Sequence, residues 1–479
     1  MTVDTTRNQD NLQASLTQVQ NLLNRMQLVE DLVHKQDMPR QQLVENLVHK
    51  QHSAELSKKL DQLHPADVAY ILESLPLDER LRVWDLVKAD RDGDILLEVS
   101  DAVRETLIES MDREELVAAA EQLDADELAD LAPDLPSQVV YEVMGGLDLK
   151  EREQLQSAMS YREDQVGGVM DFELVKIRAD VTLEVVLRYL RRFEELPDHA
   201  DKIFVVDDEE TLVGVLPLNK LLISDPESEV SSVMARDVVT FLPDDDVGDA
   251  AQAFERYDLV SAPVVDSNYR LVGRLTVADM VDYIREESES EVLSMAGLKE
   301  EEDLFAGVLA SVKNRWAWLA VNLCTAFVAS RVIGAFEHSI QNLVALAALM
   351  PIVAGIGGNS GNQTITMIVR ALAMGQMQLN QAWRLWRKEI GVSVINGLVW
   401  GSALGVLAWA LYGSWQLGVV MTTAMTLNLV LAATMGVMIP TLMQKLGRDP
   451  ALGSSVLITA CTDSGGFFIF LGLATVFLM

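Results

Sequence analysis

The sequence predicts a multidomain membrane protein. An acidic, α-helical, solenoid-like cytoplasmic domain and an α+β pair of repeated modules precede a connecting helix and an all-α transmembrane domain of five helices. The main observation is charge: the 479 residues carry a net charge of −34, and segment 304–479 holds nine Lys and Arg against four acidic residues. Residues 1–303 therefore carry −39. Such a surface repels nucleic acid and attracts cations.

Residues 1–55 predict a polar helical leader. The segment is rich in Gln and Asn and contains two nearly identical copies of one motif, LVEDLVHKQ at 28–36 and LVENLVHKQ at 43–51. Apolar pairs four residues apart give each copy a helical stripe, and Pro39 separates the copies. We expect a helical hairpin or a self-associating helix. Because the first residues lack an apolar run, we expect no signal peptide and a cytoplasmic soluble half.

Residues 56–168 predict an acidic helical domain with a weak internal repeat. The segment LHPADVAYILESLP at 63–76 resembles LDADELADLAPDLP at 123–136, at a spacing of sixty residues. Stacked helix pairs of the solenoid type would explain this spacing. Asp126 and Asp130 are four residues apart and share one helix face, where like charges are mildly destabilising. From the residues alone, this pair is either a solvated acidic face or part of a cation site.

Residues 169–283 change from helical to strand periodicity. The copies IFVVD at 203–207 and APVVD at 262–266 are each followed by LVG, which predicts strand, turn, strand and helix. Their spacing of 59 resembles a tandem pair of CBS motifs, a regulatory module that often binds adenine nucleotides through Thr/Ser-x-x-Asp. The second copy keeps this pattern at Thr276 and Asp279, whereas the first has Pro217 and Lys220. We therefore expect weak or no ATP binding at the first copy, and ATP binding by the pair stays open.

Residues 284–312 predict a connecting helix. It begins in the acidic run DYIREESESE at 282–291 and leads toward the first apolar span. An exposed linker helix is one interpretation. Its position between a sensor-like pair and a membrane domain favours an element that couples the two.

Residues 313–479 predict five membrane-spanning helices, because a run of about twenty apolar residues is long enough to cross a bilayer. We place the spans near 314–336, 342–369, 389–412, 417–443 and 451–479. Basic residues lie in the loops after the second and fourth spans, namely Arg370, Arg384, Arg387, Lys388, Lys445 and Arg448. By the positive-inside rule, the N-terminus is cytoplasmic and the C-terminus is outside.

The membrane half also carries polar groups at membrane depth. Asp463 lies about 18 Å into the last span at ~1.5 Å per residue, where a carboxylate costs several kcal/mol unless it faces a cavity, a partner or an ion. The second span contains PIVAGIGGNSGNQ at 351–363, whose proline and glycines weaken a helix. Close helix packing explains the glycines but not Asn359, Asn362 and Gln363. Together with Asp463, these amides predict an ion path.

With these motifs, the chain resembles the MgtE family of magnesium channels from about residue 60 to the end. The resemblance rests on GGNSGNQ at 357–363, on Thr462 with Asp463, and on GRDPA at 447–451. It implies a channel rather than an enzyme, and a homodimer in the plasma (inner) membrane whose central pore binds hydrated Mg²⁺. The implied pore positions are Asp463, Asn362, Asn359 and the carbonyl groups of Gly355 and Thr459.

The resemblance further implies that cytoplasmic Mg²⁺ closes the channel by binding between the helical domain, the CBS pair and the connecting helix. The implied regulatory ligands are Asp94, Asp126, Asp130, Asp246, Asp258, Asp279, Asp282, Glu287, Glu291 and Asp449. Two further acidic positions of the family pattern are occupied here by Gly248 and Ser290.

Two other functions are compatible with the sequence. A sodium- or proton-coupled carrier of divalent cations would use the same membrane site, but it would be expected to bury further ionisable groups, and mid-span only Asp463 is found. A membrane-tethered nucleotide receptor would use the CBS pair, but it leaves Asn359, Asn362 and Asp463 unexplained.

Overall fold

The structure is a computed structural model that describes residues 5–34, 52–162, 164–193, 196–197, 199–298, 303–373, 377, 381–451 and 454–479. The chain divides into two compact units. The first comprises the chain up to Glu286 together with Asp303–Ala306, and the second comprises Glu287–Glu302 with Gly307–Met479.

The first unit opens with a domain of short helices around one apolar core. Its helices are α1 (Thr5–His34), α2 (52–60), α3 (Pro65–Glu73), α4 (Leu77–Trp84), α5 (Asp92–Glu98), α6 (Asp101–Ser110), α7 (Arg113–Ala120), α8 (Ala125–Leu131), α9 (Ser137–Gly146) and α10 (Leu149–Ala158). Asp112 and Asp148 each form a capping box with the glutamate three residues later, which fixes where α7 and α10 begin. Helices two apart in the chain pack together, as α3 does on α5 and α7 on α9.

Helix α1 belongs to this core. Val19, Leu22 and Leu23 are buried in the same apolar cluster as Leu56 and Leu60 of α2. The described part of the leader therefore consists of α1 and the beginning of α2, which pack on the helical domain. Pro39 and the second copy of the leader repeat lie outside the described residues, so the hairpin stays a prediction.

The two predicted strand–turn–strand–helix copies follow. They lie among strands β1 (Lys176–Arg178), β2 (Lys202–Val206), β3 (Leu212–Pro217), β4 (Ser261–Val265) and β5 (Leu271–Thr276), with helices α11 (Val166–Val169), α12 (Leu183–Leu190), α13 (Leu218–Ile223), α14 (Val230–Val233), α15 (Val247–Tyr257) and α16 (Val277–Ala296). Strand β1 pairs parallel with β2, while β2 with β3 and β4 with β5 pair antiparallel. The copies share one register, since Lys202 pairs with Pro217 and Ser261 pairs with Thr276.

A buried ion pair holds the segment Asp303–Ala306 in the first unit. The Arg80 guanidinium is fully buried and donates to both carboxylate oxygens of Asp303, at 2.8 and 3.0 Å. It also donates to the carbonyl oxygens of Leu72 and Leu75. Burial raises the pKa of Asp303, but the hydrogen bonds and charge of Arg80 outweigh it and leave that pKa below its usual value.

The second unit is helical in its described residues. Its helices after α16 are α17 (Val308–Ala335), α18 (Glu337–Asn342), α19 (Ala345–Ala373), α20 (Ala382–Tyr412), α21 (Trp415–Lys445) and α22 (Ser454–Leu478). Among the described residues, four segments are long and apolar enough to cross a membrane: Ser311–Ala335, Ala382–Tyr412, Trp415–Lys445 and Ser454–Leu478. Helix α19 is also long enough, with 29 residues, but its polar run makes it less apolar than these four segments.

Helices α20 and α21 form a closely packed antiparallel hairpin. Three glycines of α20 lie against α21, pairing Gly397 with Thr426, Gly401 with Thr422 and Gly405 with Gly418. A Cβ atom at any of the three would come within 2.9 Å of α21. Small residues on one face let the two backbones approach, as in other membrane helix pairs.

We expect Asp303→Ala to lower the free energy of unfolding of the first unit by about 3–5 kcal/mol, because it leaves the buried Arg80 guanidinium without a counter-charge. The double variant Arg80→Met/Asp303→Ala should lose less of this free energy of unfolding, because it leaves no buried charge without a partner. Since the folded-state pKa of Asp303 is lowered, the stabilisation is present above the ordinary carboxyl pKa and is lost as pH falls through the folded value. Calorimetric unfolding of the full chain measures both, and a loss below about 1 kcal/mol would contradict a buried pair.

Candidate functional site

The polar run of the second predicted span lies on an unbroken helix. Helix α19 continues through Pro351 and all four glycines, so the expected weakening does not interrupt it. Tertiary packing accounts for this result. A Cβ at Gly357 would lie 2.2 Å from the Asn428 side chain, and one at Gly361 would lie 2.5 Å from Ile458. Close helix packing therefore explains these two glycines.

The other face of α19 carries the predicted pore residues. Gly355, Asn359 and Asn362 follow one another at helical spacings of four and three, which places them on one face. Gly355 and Asn359 are exposed, and no atom lies within 4 Å of a Cβ built at Gly355. The Asn362 Oδ1 atom is buried and has no hydrogen-bond partner among the described residues. This face of α19 therefore presents polar groups, and no described residue of the second unit occupies Asn362 Oδ1 with a hydrogen bond.

Helix α22 packs against α19 and carries the Asp463 carboxylate. Asp463 is half-buried, and Thr459 precedes it by one helical turn. The Thr462 hydroxyl donates to the Ile458 carbonyl oxygen at 2.9 Å and lies 3.2 Å from the Thr459 carbonyl oxygen. A Cβ at Gly358 would lie 3.7 Å from Thr462 Oγ1, so α19 and α22 are in contact at the level of the predicted site.

The structure adds one polar residue that the sequence reasoning missed. Asn428 of α21 is fully buried, and its Nδ2 donates to the Val353 carbonyl oxygen at 2.9 Å. An amide within the apolar run TLNLVLAA was the available signal. Unlike Asn359 and Asn362, Asn428 has no second amide near it in the sequence.

The first unit brings several predicted regulatory acids into one group, which we call the acidic cluster: Asp94, Asp124, Asp126, Glu127, Asp171 and Asp279. Asp126 is influenced by the charges of Asp124, Glu127 and Asp171. The charge of Asp94 acts on Glu127, and the charge of Asp171 acts on Asp279. The buried guanidinium of Arg274 donates to Asp171 at 2.8 Å and is a counter-charge within the group. Asp124, Glu127 and Asp171 were not predicted.

Burial, together with neighbouring charge, raises the pKa of four members of the acidic cluster. Burial, followed by the charge of Asp171, raises the pKa of Asp126 to about 8. Burial also raises the pKa of Glu127, Asp171 and Asp279, although Arg274 partly opposes this at Asp171. Ionisation of each of these carboxylates is therefore unfavourable. A bound cation would offset both the cost of burying their charge and their mutual repulsion.

Other predicted regulatory residues lie outside this cluster. Asp246 is exposed and accepts from the Asp249 N–H at 3.1 Å, which caps α15, and exposed Asp258 ends that helix with a left-handed φ of 51°. Asp130 and Asp282 are also exposed. Near Asp282, burial and then the charges of Asp101 and Asp282 raise the pKa of Glu286, a residue missed from sequence.

In the second unit, three predicted regulatory acids approach one another. Burial, and then the charges of Glu287 and Asp449, raise the pKa of Glu291. Asp449 also accepts from the Ala451 N–H at 2.8 Å, which orders the turn before α22. The described part of the chain contains no group of three His, Cys, Asp or Glu side chains that could hold a metal ion.

These features define a class: a multi-pass membrane protein with an acidic cytoplasmic helical domain, a CBS pair and a polar membrane face. Family models agree. "Divalent cation transporter" matches 350–473, "MgtE intracellular N domain" matches 63–164, and the CBS domain matches 166–225 and 230–286. The chain belongs to the MgtE family.

Individual relatives cover most of the chain. It is 31% identical over 429 residues to the magnesium transporter MgtE of Thermus thermophilus, covering 88% of this chain and 95% of the relative. It is 27% identical to the Bacillus subtilis protein of the same name, with 88% and 93% covered. A crystal structure of the cytosolic domain of the Mg²⁺ channel MgtE in complex with ATP is 29% identical, covers 50% of this chain and 98% of that chain, and gives a TM-score of 0.45.

The acidic cluster predicts an unusual pH dependence. Because the folded-state pKa of Asp126 is about 8, the folded protein binds a proton more tightly than the unfolded chain between pH 4 and 8. Without Mg²⁺, lowering the pH from 8 to 5 should therefore raise the melting temperature of the first unit. Asp126→Asn should flatten this dependence, whereas Asp207→Asn, in a β-turn away from the cluster, should not. Scanning calorimetry measures the effect, and a melting temperature that falls steadily from pH 8 to 5 would contradict it.

Proposed function

We propose that this protein is a magnesium channel of the plasma (inner) membrane, through which Mg²⁺ enters the cell and which cytoplasmic Mg²⁺ closes. The observation that carries the proposal is the polar face of α19, with Gly355, Asn359 and Asn362, packed beside the Asp463 helix. The magnesium transporters among its relatives support the choice of ion.

A homodimer follows from where this face lies. Exposed amide groups and a half-buried carboxylate are costly against lipid, so the face must meet water or protein. A second copy that presents the same face would enclose a polar path between the two subunits. Counting α19 as a span gives five crossings, with the N-terminus in the cytoplasm and the C-terminus outside.

The pore chemistry suits hydrated Mg²⁺. This ion prefers six oxygen ligands and loses water reluctantly, so Asp463 from each subunit holds it through its water shell. The Asn359 and Asn362 amides and the carbonyl oxygens of Gly355 and Thr459 accept hydrogen bonds from that water. Two facing carboxylates also repel each other unless a cation lies between them, which favours occupancy.

Closure by cytoplasmic Mg²⁺ uses the acidic residues of both units. Without Mg²⁺, the neighbouring carboxylates of the acidic cluster repel one another, and this repulsion separates the helical domain from the CBS pair. With Mg²⁺, ions bind within the acidic cluster and, separately, within the Glu287, Glu291 and Asp449 group. Moving a two-state equilibrium from 1:99 to 99:1 takes about 5.5 kcal/mol, which several weak sites of ~1–2 kcal/mol supply together.

Two finer features belong to this proposal. The packing of alternate helices from α3 to α10 supports a solenoid in which each repeat contacts its neighbours.

ATP is a further ligand only at the second CBS copy. There the Asp279 carboxylate accepts from the Thr276 N–H at 2.7 Å, so a ribose would compete with this helix cap. Exposed Lys220 replaces that carboxylate in the first copy.

One observation favours an ion-coupled carrier as the second candidate. Glu389, near the start of α20, is 5% exposed and pairs with Lys388 at 3.2 Å. It is a buried ionisable group of the kind that a coupled carrier needs. Dependence of Mg²⁺ uptake by liposomes on an imposed sodium or proton gradient would favour the carrier, and uptake driven by the Mg²⁺ gradient and voltage alone favours the channel.

We expect Asp463→Asn to abolish Mg²⁺ influx while the folded dimer persists, because the substitution removes the main counter-charge of the ion. Asn362→Leu should act in the same direction more mildly. Influx into liposomes, with protein quantity and dimer content checked by size-exclusion chromatography, measures both. Wild-type influx by Asp463→Asn protein would exclude this residue from the pore.

We expect Asp126→Ala/Asp130→Ala to need more cytoplasmic Mg²⁺ for closure. The substitutions reduce repulsion in the open state, but the loss of ligands dominates because ion binding distinguishes closed from open at high Mg²⁺. Asp279→Ala should act alike, and the combination should be less than additive if the residues share an ion.

The measurement is channel open probability across a Mg²⁺ titration. Glu109→Ala/Glu153→Ala is the matched control, since both glutamates are exposed on the same helical domain outside the acidic cluster. If the Asp126→Ala/Asp130→Ala protein and the Asp279→Ala protein close at the same Mg²⁺ concentration as the wild type, these acids are a solvated surface and do not bind the regulatory ion.

A further inference from the structure

Asn428 occupies a slot between the two helices that carry the proposed pore residues. Its side chain is fully buried on α21 and donates to the Val353 carbonyl oxygen of α19 at 2.9 Å. A buried amide without such a bond costs about 1–3 kcal/mol, so this contact fixes where the side chain lies.

Two glycines form the walls of the slot. A Cβ at Gly357 of α19 would lie 2.2 Å from Asn428 Nδ2, and a Cβ at Gly466 of α22 would lie 2.7 Å from the same atom. Neither position accommodates a larger residue while Asn428 keeps its place. Gly357 lies between Gly355 and Asn359 in sequence, and Gly466 follows Asp463 by three residues.

The amide has one acceptable orientation. Exchanging its oxygen and nitrogen would place Oδ1 against the Val353 carbonyl oxygen, where two acceptors repel. In the observed orientation, Oδ1 is buried, lies 3.0 Å from a Cβ built at Gly466, and has no hydrogen-bond partner among the described residues. A buried acceptor without a donor destabilises the fold, whereas an apolar side chain of similar shape would not. Stability alone therefore does not explain an asparagine here.

We propose that Asn428 is a positioning residue that sets the relative height of α19 and α22, and thereby the spacing of Asn362 and Asp463 along the ion path. The inference rests on the proposed pore. Asn428 itself lies behind the polar face and contacts no ion. Its amide binds one helix through Val353 and fits against the other at Gly466.

The first test is Asn428→Leu, which keeps similar volume but removes the hydrogen bond. We expect a melting temperature equal to or above that of the wild type, with Mg²⁺ influx reduced about tenfold, since small misplacements of a polar site have large effects on rate. Asn396→Leu, an exposed asparagine of α20, is the matched control and should leave influx unchanged. Unchanged influx in Asn428→Leu protein would overturn the proposal.

Ion selectivity separates positioning from general damage. If Asn428 sets the spacing of the site, its substitution should change the ratio of Mg²⁺ to Ca²⁺ influx, because Mg²⁺ takes six oxygen ligands at about 2.0–2.1 Å whereas Ca²⁺ takes six to eight at about 2.3–2.6 Å. A variant that only loses folded channels reduces both fluxes in proportion. A proportional loss in Asn428→Leu would contradict the proposal.

A size exchange covers the case in which leucine does not fit. Gly466→Ala clashes with Asn428 and should lower the melting temperature, and adding Asn428→Ala should restore it because the new methyl group fills the vacated space. Influx should nevertheless stay low, since the bond to Val353 is absent. Recovery of influx together with stability would assign Asn428 a packing role only.

Asp463→Asn in the same assay distinguishes the two proposals. If it retains influx, the proposed pore is wrong and the role of Asn428 is wrong with it. If it loses influx while Asn428→Leu keeps both rate and selectivity, only the positioning role is wrong.

Discussion

Burial of neighbouring carboxylates is the constraint on which the cytoplasmic part of this protein depends. Burial and neighbouring charge raise the pKa of Asp126 to about 8, and Asp171 and Asp279 are raised with it. Arg274 offsets part of this charge through Asp171. A fold that keeps such groups close is stabilised when protons occupy them. The packing of these carboxylates therefore makes the stability of the first unit depend on pH.

Local patterns predicted most of the fold. The two CBS copies were predicted from strand–turn–strand runs 59 residues apart, and the structure gives them one shared register. The course of α19 could not be predicted in the same way. Pro351 and the glycines weaken an isolated helix, but contacts from Asn428 and Ile458 fill the spaces at Gly357 and Gly361. Tertiary packing outweighs propensity there, and a single sequence does not show which helix supplies it.

The sequence predicted those candidate site residues that are charged or belong to a recognisable motif. Asp126 and Asp279 were identified, and both lie in the acidic cluster. Asp171 was missed because it stands alone before β1, and only the fold brings it to Arg274. Asn428 was missed because a neutral amide in an apolar span leaves a weak signal. The function of these residues depends on contacts between distant segments, which periodicity and spacing do not report.

The glycines that join α20 to α21 restrict how the membrane unit can deform. At Gly397, Gly401 and Gly405 the two helices lie so close that a Cβ atom on any of these residues would meet α21, which leaves little room for one helix to slide along the other. We therefore expect the hairpin of about 60 residues to move as one unit. Because Asn428 lies on α21, it belongs to this hairpin. Any rearrangement of the described helices of the second unit then has to carry α20 and α21 together rather than separate one from the other.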